Sequence, residues 1–122
     1  MRDELRAWVE GYERAWRSND RDEIGMLFID DARYLASPGS DAVVGRDAIV
    51  EWWLAHADGP DDATFSYEVI GVDGRRGVVQ GVTTYRPSED QPERTYDNLW
   101  VIDLVEGGRA SSYTEWYHRR HG

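Results

Sequence analysis

The chain has 122 residues, the length of one domain, enough to bury roughly two thirds of the surface that its unfolded form exposes. Its 24 acidic against 14 basic side chains leave a formal charge of −10, which repels phosphate backbones and anionic membranes and so disfavours nucleic-acid binding. There is no cysteine, hence no disulfide framework and no thiolate to act as nucleophile or metal ligand.

Leu5, Trp8, Val9, Tyr12 and Trp16 recur at three- and four-residue steps, which predicts a first helix over Asp3 to Arg17 with one buried face. Asp20 and Glu23 have the spacing of a capping box, and Ile24, Leu27 and Phe28 supply a short apolar face, predicting a second helix that ends near Phe28. Ala32 to Ser37 reads as a strand, Pro38-Gly39-Ser40 as a turn, and Val43-Val44 as a brief extended segment. A third helix is expected from Arg46 to about Ala57, with Ile49, Trp52, Trp53 and His56 on one side and Gly59-Pro60 as its stop.

After Asp62 the pattern changes to β-rich stretches separated by turn signals, the order of an α+β domain. Four strands are predicted, over Thr64 to Val72, Gly77 to Arg86, Arg94 to Val105 and Arg109 to Arg119. Their short connections favour an antiparallel, strongly curved sheet. The six Trp, seven Tyr and two Phe exceed what packing in so small a domain needs, so some are expected to line a cavity.

Tyr12 to Trp16, Leu27-Phe28-Ile29-Asp30-Asp31-Ala32, Gly45-Arg46-Asp47-Ala48-Ile49, and Asp97-Asn98-Leu99-Trp100 leading to Glu115-Trp116-Tyr117 together resemble the nuclear transport factor 2-like superfamily, in its SnoaL-like and ketosteroid isomerase-like branch. The resemblance covers almost the whole chain and implies a cone-shaped α+β barrel. Three helices would cover the concave face of the sheet, with a deep pocket between, and a homodimer would form through the sheet's outer face. The superfamily includes isomerases, cyclases, epoxide hydrolases, dehydratases and transport factors, so the fold leaves activity open.

Tyr12 matches the tyrosine that in ketosteroid isomerases donates a hydrogen bond to the developing enolate oxygen. The family's general base falls at Ala36 and Ser37, and its second oxyanion donor near Trp100. One match in three argues against ketosteroid isomerase chemistry itself. Strand alternation sets Tyr96, Asn98 and Trp100 on one face and Tyr113, Glu115 and Tyr117 on one face. Related sequences direct an Asn and a Glu inward at such places, which makes Asn98 and Glu115 the leading polar lining residues. A carboxyl among Tyr and Trp rings can have a raised pKa and serve as acid or base. His56 is a reserve proton carrier at the mouth, and Trp16, Tyr34, Trp52, Trp53 and Trp100 are the candidate walls.

The three histidines lack metal-ligand spacing and no glycine-rich phosphate loop is present, so neither metal nor cofactor is expected. Asp30 and Asp31 read as residues that terminate and solvate the second helix. Arg86, Asp97, Asn98 and Tyr34 suggest the Asp-Arg-Asp arrangement of epoxide hydrolases, but Asp97 and Asn98 alternate in facing, which opposes a shared site. The expected protein is cytoplasmic, has no membrane span, and takes a small apolar or aromatic molecule. It is an acid–base enzyme of the cyclase, isomerase or dehydratase type, a non-catalytic binder, or an interaction module.

Overall fold

A computed structural model describes residues 1–57 and 62–121. The first helix, α1, spans Arg2–Ser18 and buries Leu5, Trp8, Val9 and Ala15, the stripe that its apolar spacing requires. It stops at Asn19, whose left-handed backbone (φ 52°, ψ 32°) returns its N–H to the Ala15 carbonyl. The second helix, α2, is a single turn, Arg21–Gly25, capped by the Asp20 carboxylate accepting from the backbone N–H groups of Asp22 and Glu23 at 2.9 and 3.1 Å.

Phe28 does not belong to that helix. It opens strand β1, Phe28–Leu35, which starts earlier than the predicted Ala32 and ends before Ser37. The local spacing of Ile24, Leu27 and Phe28 is helical, but the Leu27 carbonyl is claimed from outside: it accepts from the Ala110 N–H at 2.7 Å and from the Trp8 indole at 2.8 Å. Sheet pairing and a buried indole thus outweigh one more turn of helix. Asp30 and Asp31 accordingly lie within β1 instead of ending a helix, and Asp30 pairs with Arg46 at 2.7 Å. Strand β2 is Val43–Val44 and helix α3 Arg46–Ala55, two residues shorter than expected; its predicted stop at Gly59-Pro60 lies outside the described residues.

Strands β3 (Ala63–Asp73), β4 (Arg76–Tyr85), β5 (Arg94–Leu104) and β6 (Ala110–Arg119) complete a six-stranded sheet of order β2-β1-β6-β5-β4-β3. The hairpin partners are antiparallel, as short connections demand. β1 instead joins β6 in parallel, with Tyr34 beside Tyr113 and Leu35 beside Thr114, because these two strands are brought together by the tertiary fold and not by a turn. The sheet is therefore mixed. On its concave side Val79, Trp100, Ile102, Leu104 and Tyr113 pack with Leu5, Trp8 and Val9 of α1. Leu5 sits so close to β4 that a Cβ on Gly77 would lie 2.2 Å from its Cδ2. The opposite face carries ion pairs, Arg76 with Asp103 and Arg120 with Asp97, both at 2.7 Å.

Candidate functional site

The concave face opens into a cavity of about 180 Å³. Its polar centre is a diagonal line across three neighbouring strands. The Thr83 hydroxyl of β4 donates to Asn98 Oδ1 of β5 at 2.8 Å, and Asn98 Nδ2 donates to Glu115 Oε2 of β6 at 2.8 Å. The ladder explains the geometry: Gly81 pairs with Asn98 and Trp100 with Glu115, so each bond runs to a diagonal neighbour on one face. Trp100 adds a second donor to the same oxygen, its indole N–H lying 3.0 Å from Glu115 Oε2.

The two donors make the carboxyl asymmetric. Neither Asn98 Nδ2 nor the indole N–H can accept a proton, so a proton bound by Glu115 lies on Oε1. That oxygen has no hydrogen-bond partner among the described residues, and no buried side-chain oxygen is left unpartnered, so Oε1 reaches the open space. Burial raises the Glu115 pKa, and the hydrogen bonds from Trp100 and Asn98 work against that rise.

Rings enclose this carboxyl. Tyr12 lies 4.6 Å from Trp100 and 4.8 Å from Trp53, centroid to centroid. Its hydroxyl accepts from Tyr113 and meets Tyr34, each at a long 3.4 Å. Burial holds the Tyr34 and Tyr113 phenols well above the usual tyrosine pKa, with neighbouring Tyr12 and Glu115 adding to it; they remain neutral donors. Trp16, Tyr34, Trp52 and Trp53 complete the wall, and His56 stands at its edge. The imidazole is exposed, stacks on Trp52 at 4.2 Å, and its Nδ1 lies 2.8 Å from the Trp52 carbonyl. As the donor of that bond, Nδ1 carries the proton of neutral His56 and leaves Nε2 outward. The structure thus brings Tyr12, His56, Asn98, Glu115 and the five predicted wall residues to one cavity.

Five lining residues had not been singled out from sequence: Glu13, Ala57, Phe65, Thr83 and Tyr85. Phe65 reaches across β4 to stack on Trp100 at 5.2 Å and 15°. Gly81 permits it, since a Cβ there would meet the Phe65 ring at 2.7 Å. A glycine between two aromatic strand positions was the available signal. Ala36 and Ser37 do not line the cavity; Ser37 forms a turn with Ser40. Asp97 faces away from Asn98 and takes Arg120 in a two-point bond, so no Asp-Arg-Asp site forms around it. Larger hollows, about 730, 560 and 260 Å³, lie elsewhere. Some of their charges are paired, Arg21 with Glu51 and Arg75 with Glu4, and none of them gathers several aromatic rings around a carboxyl as the Glu115 cavity does. Among the described residues no group of three or more His, Asp or Glu is arranged to hold a metal, and no helix is long and apolar enough to cross a membrane.

A curled six-stranded sheet with helices over its concave side is the nuclear transport factor 2-like fold. Solved structures of this shape include SalBIII, an epoxide hydrolase/cyclase-like enzyme in pyran ring formation in the polyether salinomycin (TM-score 0.75, 21% identity, 97% of this chain and 95% of that one). A nuclear transport factor 2-like protein of unknown function from Burkholderia xenovorans matches at TM-score 0.72 and 14% identity, over 98% of this chain and 87% of that one. A ketosteroid isomerase-like protein from Erwinia carotovora atroseptica matches at 0.68 and 18%, over 95% of each. No curated protein matches by sequence. Residues 6–113 match the SnoaL-like domain family, and the chain belongs to that family.

Proposed function

We propose that the protein is a cofactor-independent acid–base catalyst of the isomerase, cyclase or dehydratase type, acting on a small, largely apolar cyclic molecule. The observation that carries this reading is Glu115: half-buried among rings, with one oxygen held by Asn98 and Trp100 and the other open to the cavity. Such a carboxyl is fixed in direction and raised in pKa, which suits it to take a proton from a ligand carbon and return it elsewhere. Tyr12 is the donor for the oxygen on which charge develops, and His56 exchanges protons with solvent at the mouth.

The resemblance puts the family's base at Ala36 and Ser37. Here Glu115 stands one residue beyond the Leu35–Thr114 pair, so the neighbouring strand supplies a carboxyl beside the place where β1 leaves the sheet. A cavity of about 180 Å³ suits a single ring better than a fused steroid, given that about 150 Å³ holds a benzene.

Single-ring ketones incubated with the protein in D2O are the test, with carbon-bound proton exchange followed by NMR. Exchange above buffer is expected, falling about 10²- to 10⁴-fold in Glu115→Gln. Exchange no faster than in buffer, or unaltered by the substitution, sinks the catalytic reading. The absence of a carboxylate at Ala36 and Ser37 favours a second reading, a non-catalytic binder; saturable binding with no exchange supports it. A homodimer through the outer face of the sheet belongs to the same proposal, because Trp116 is 42% exposed there. A monomer in sedimentation at micromolar concentration removes it.

A further inference from the structure

The concave face continues outward past Glu115. A second chamber of about 350 Å³ shares Thr83, Tyr85, Asn98 and Glu115 with the first and is walled beyond them by Arg94, Tyr96 and Tyr117. The inner chamber is lined chiefly by aromatic rings, four of them indoles, and has no arginine. The outer one has phenols and a guanidinium.

Arg94 differs from the arginines that are held by two-point bonds elsewhere in the molecule. Arg75, Arg76 and Arg120 each grip a carboxylate with two nitrogens. Arg94 makes no ion pair with a described residue. It lies opposite Tyr85 in the ladder, with its guanidinium 5.0 Å from the centre of that ring, and makes one long bond, 3.4 Å, to the Pro92 carbonyl. Facing the chamber without an acidic partner, Arg94 has its planar fork available to a ligand. The acid that shares its chamber, Glu115, is already held by Asn98 and Trp100.

We infer that the ligand of this cavity is a single-ring carboxylic acid, its ring in the inner chamber and its carboxylate on Arg94 in the outer one. The inference rests on the reading of the Glu115 cavity as a small-molecule site. Arg94 stands roughly 13 Å along β5 from Asn98, so ring and carboxylate are joined by a short arm that passes Thr83 and Tyr85. A carboxylate fits better than a phosphate monoester: one guanidinium neutralises one charge, and a second negative charge beside Glu115 would stay uncompensated. Arg94 is thereby a specificity residue that also sets which ring atom comes to rest against Glu115 Oε1.

The test is calorimetric titration with benzoate, phenylacetate, 3-phenylpropanoate and 4-phenylbutanoate, each against its primary amide. At least one acid is expected to bind about tenfold tighter than its amide. Arg94→Gln removes that preference and leaves the amide within about twofold, while Arg94→Lys recovers part of it. Acid and amide binding alike, a preference that survives Arg94→Gln, or no member binding at all overturns the inference. Equal binding of acids and amides together with Glu115-dependent exchange leaves the catalytic proposal standing alone. Arg94-dependent acid binding with exchange unaltered in Glu115→Gln leaves the anchor and removes the catalyst.

Discussion

The two ends of the concave face are built from the same strands and behave differently. At the closed end β5 presents Trp100, Ile102 and Leu104, all buried, and β4 presents Gly77 beneath Leu5 of α1. At the open end β5 presents Asn98, Tyr96 and Arg94, and β4 presents Gly81, Thr83 and Tyr85, none covered by an aliphatic side chain of α1. A glycine marks each end. Gly77 lets a helix residue descend onto the strand, and Gly81 lets Phe65 lie over it against Trp100. One approach closes the core, and the other shapes a wall. The same alternation of side chains therefore yields packing where a helix reaches the sheet and a lined hollow where only rings do.

That contrast breaks most visibly at Leu5. Leu5→Ala removes a fully buried side chain from the closed end, and a loss of about 3 kcal/mol is expected, a fall in Tm on the order of 10 °C. Ligand binding by the folded protein should be little altered. A loss below about 1 kcal/mol by denaturant titration would mean that the closed end is not packed as described.

Gly81→Ala acts at the other end, at about 1 kcal/mol. Its new Cβ must displace the Phe65 ring from Trp100, so its larger effect is on tryptophan fluorescence and on binding of single-ring probes. An unchanged Trp spectrum would show that Phe65 does not depend on the missing side chain.

The smallest effect separates the two ends by charge. A carboxyl whose folded pKa is raised binds its proton more firmly in the folded state than in the unfolded one. Its stabilising contribution is full below the ordinary carboxylate range and is lost as pH rises through the raised value. Burial gives Glu115 that sign. Glu115→Gln keeps an acceptor for Asn98 and Trp100 but carries no charge, so its Tm should gain on the wild type as pH rises from about 4. A difference that does not vary with pH would show that the carboxyl is not desolvated.

Much of the architecture was legible because periodicity reports which side of an element is covered. The stripe of Leu5, Trp8, Val9 and Tyr12 identified α1 and its inward face, and alternation set Asn98 with Trp100 and Glu115 with Tyr113. Of these, Tyr12, Asn98, Trp100 and Glu115 meet in one cavity. Phe28 was misread because its spacing to Ile24 is helical, whereas its backbone partner, Ala110, lies at the far end of the chain. Thr83 and Phe65 escaped notice because neither carries a motif; they matter through diagonal neighbours on other strands.

The sequence by itself determined most of the element types and which residues of an element share a face, since these follow from local steps of two, three and four residues. Only the tertiary structure decided that β1 lies parallel to β6, that Glu115 has one oxygen held and one open, and that Arg94 faces a chamber without an acidic partner. Each of those depends on register between strands distant in the chain. Register is set by packing across the sheet and has no local signature.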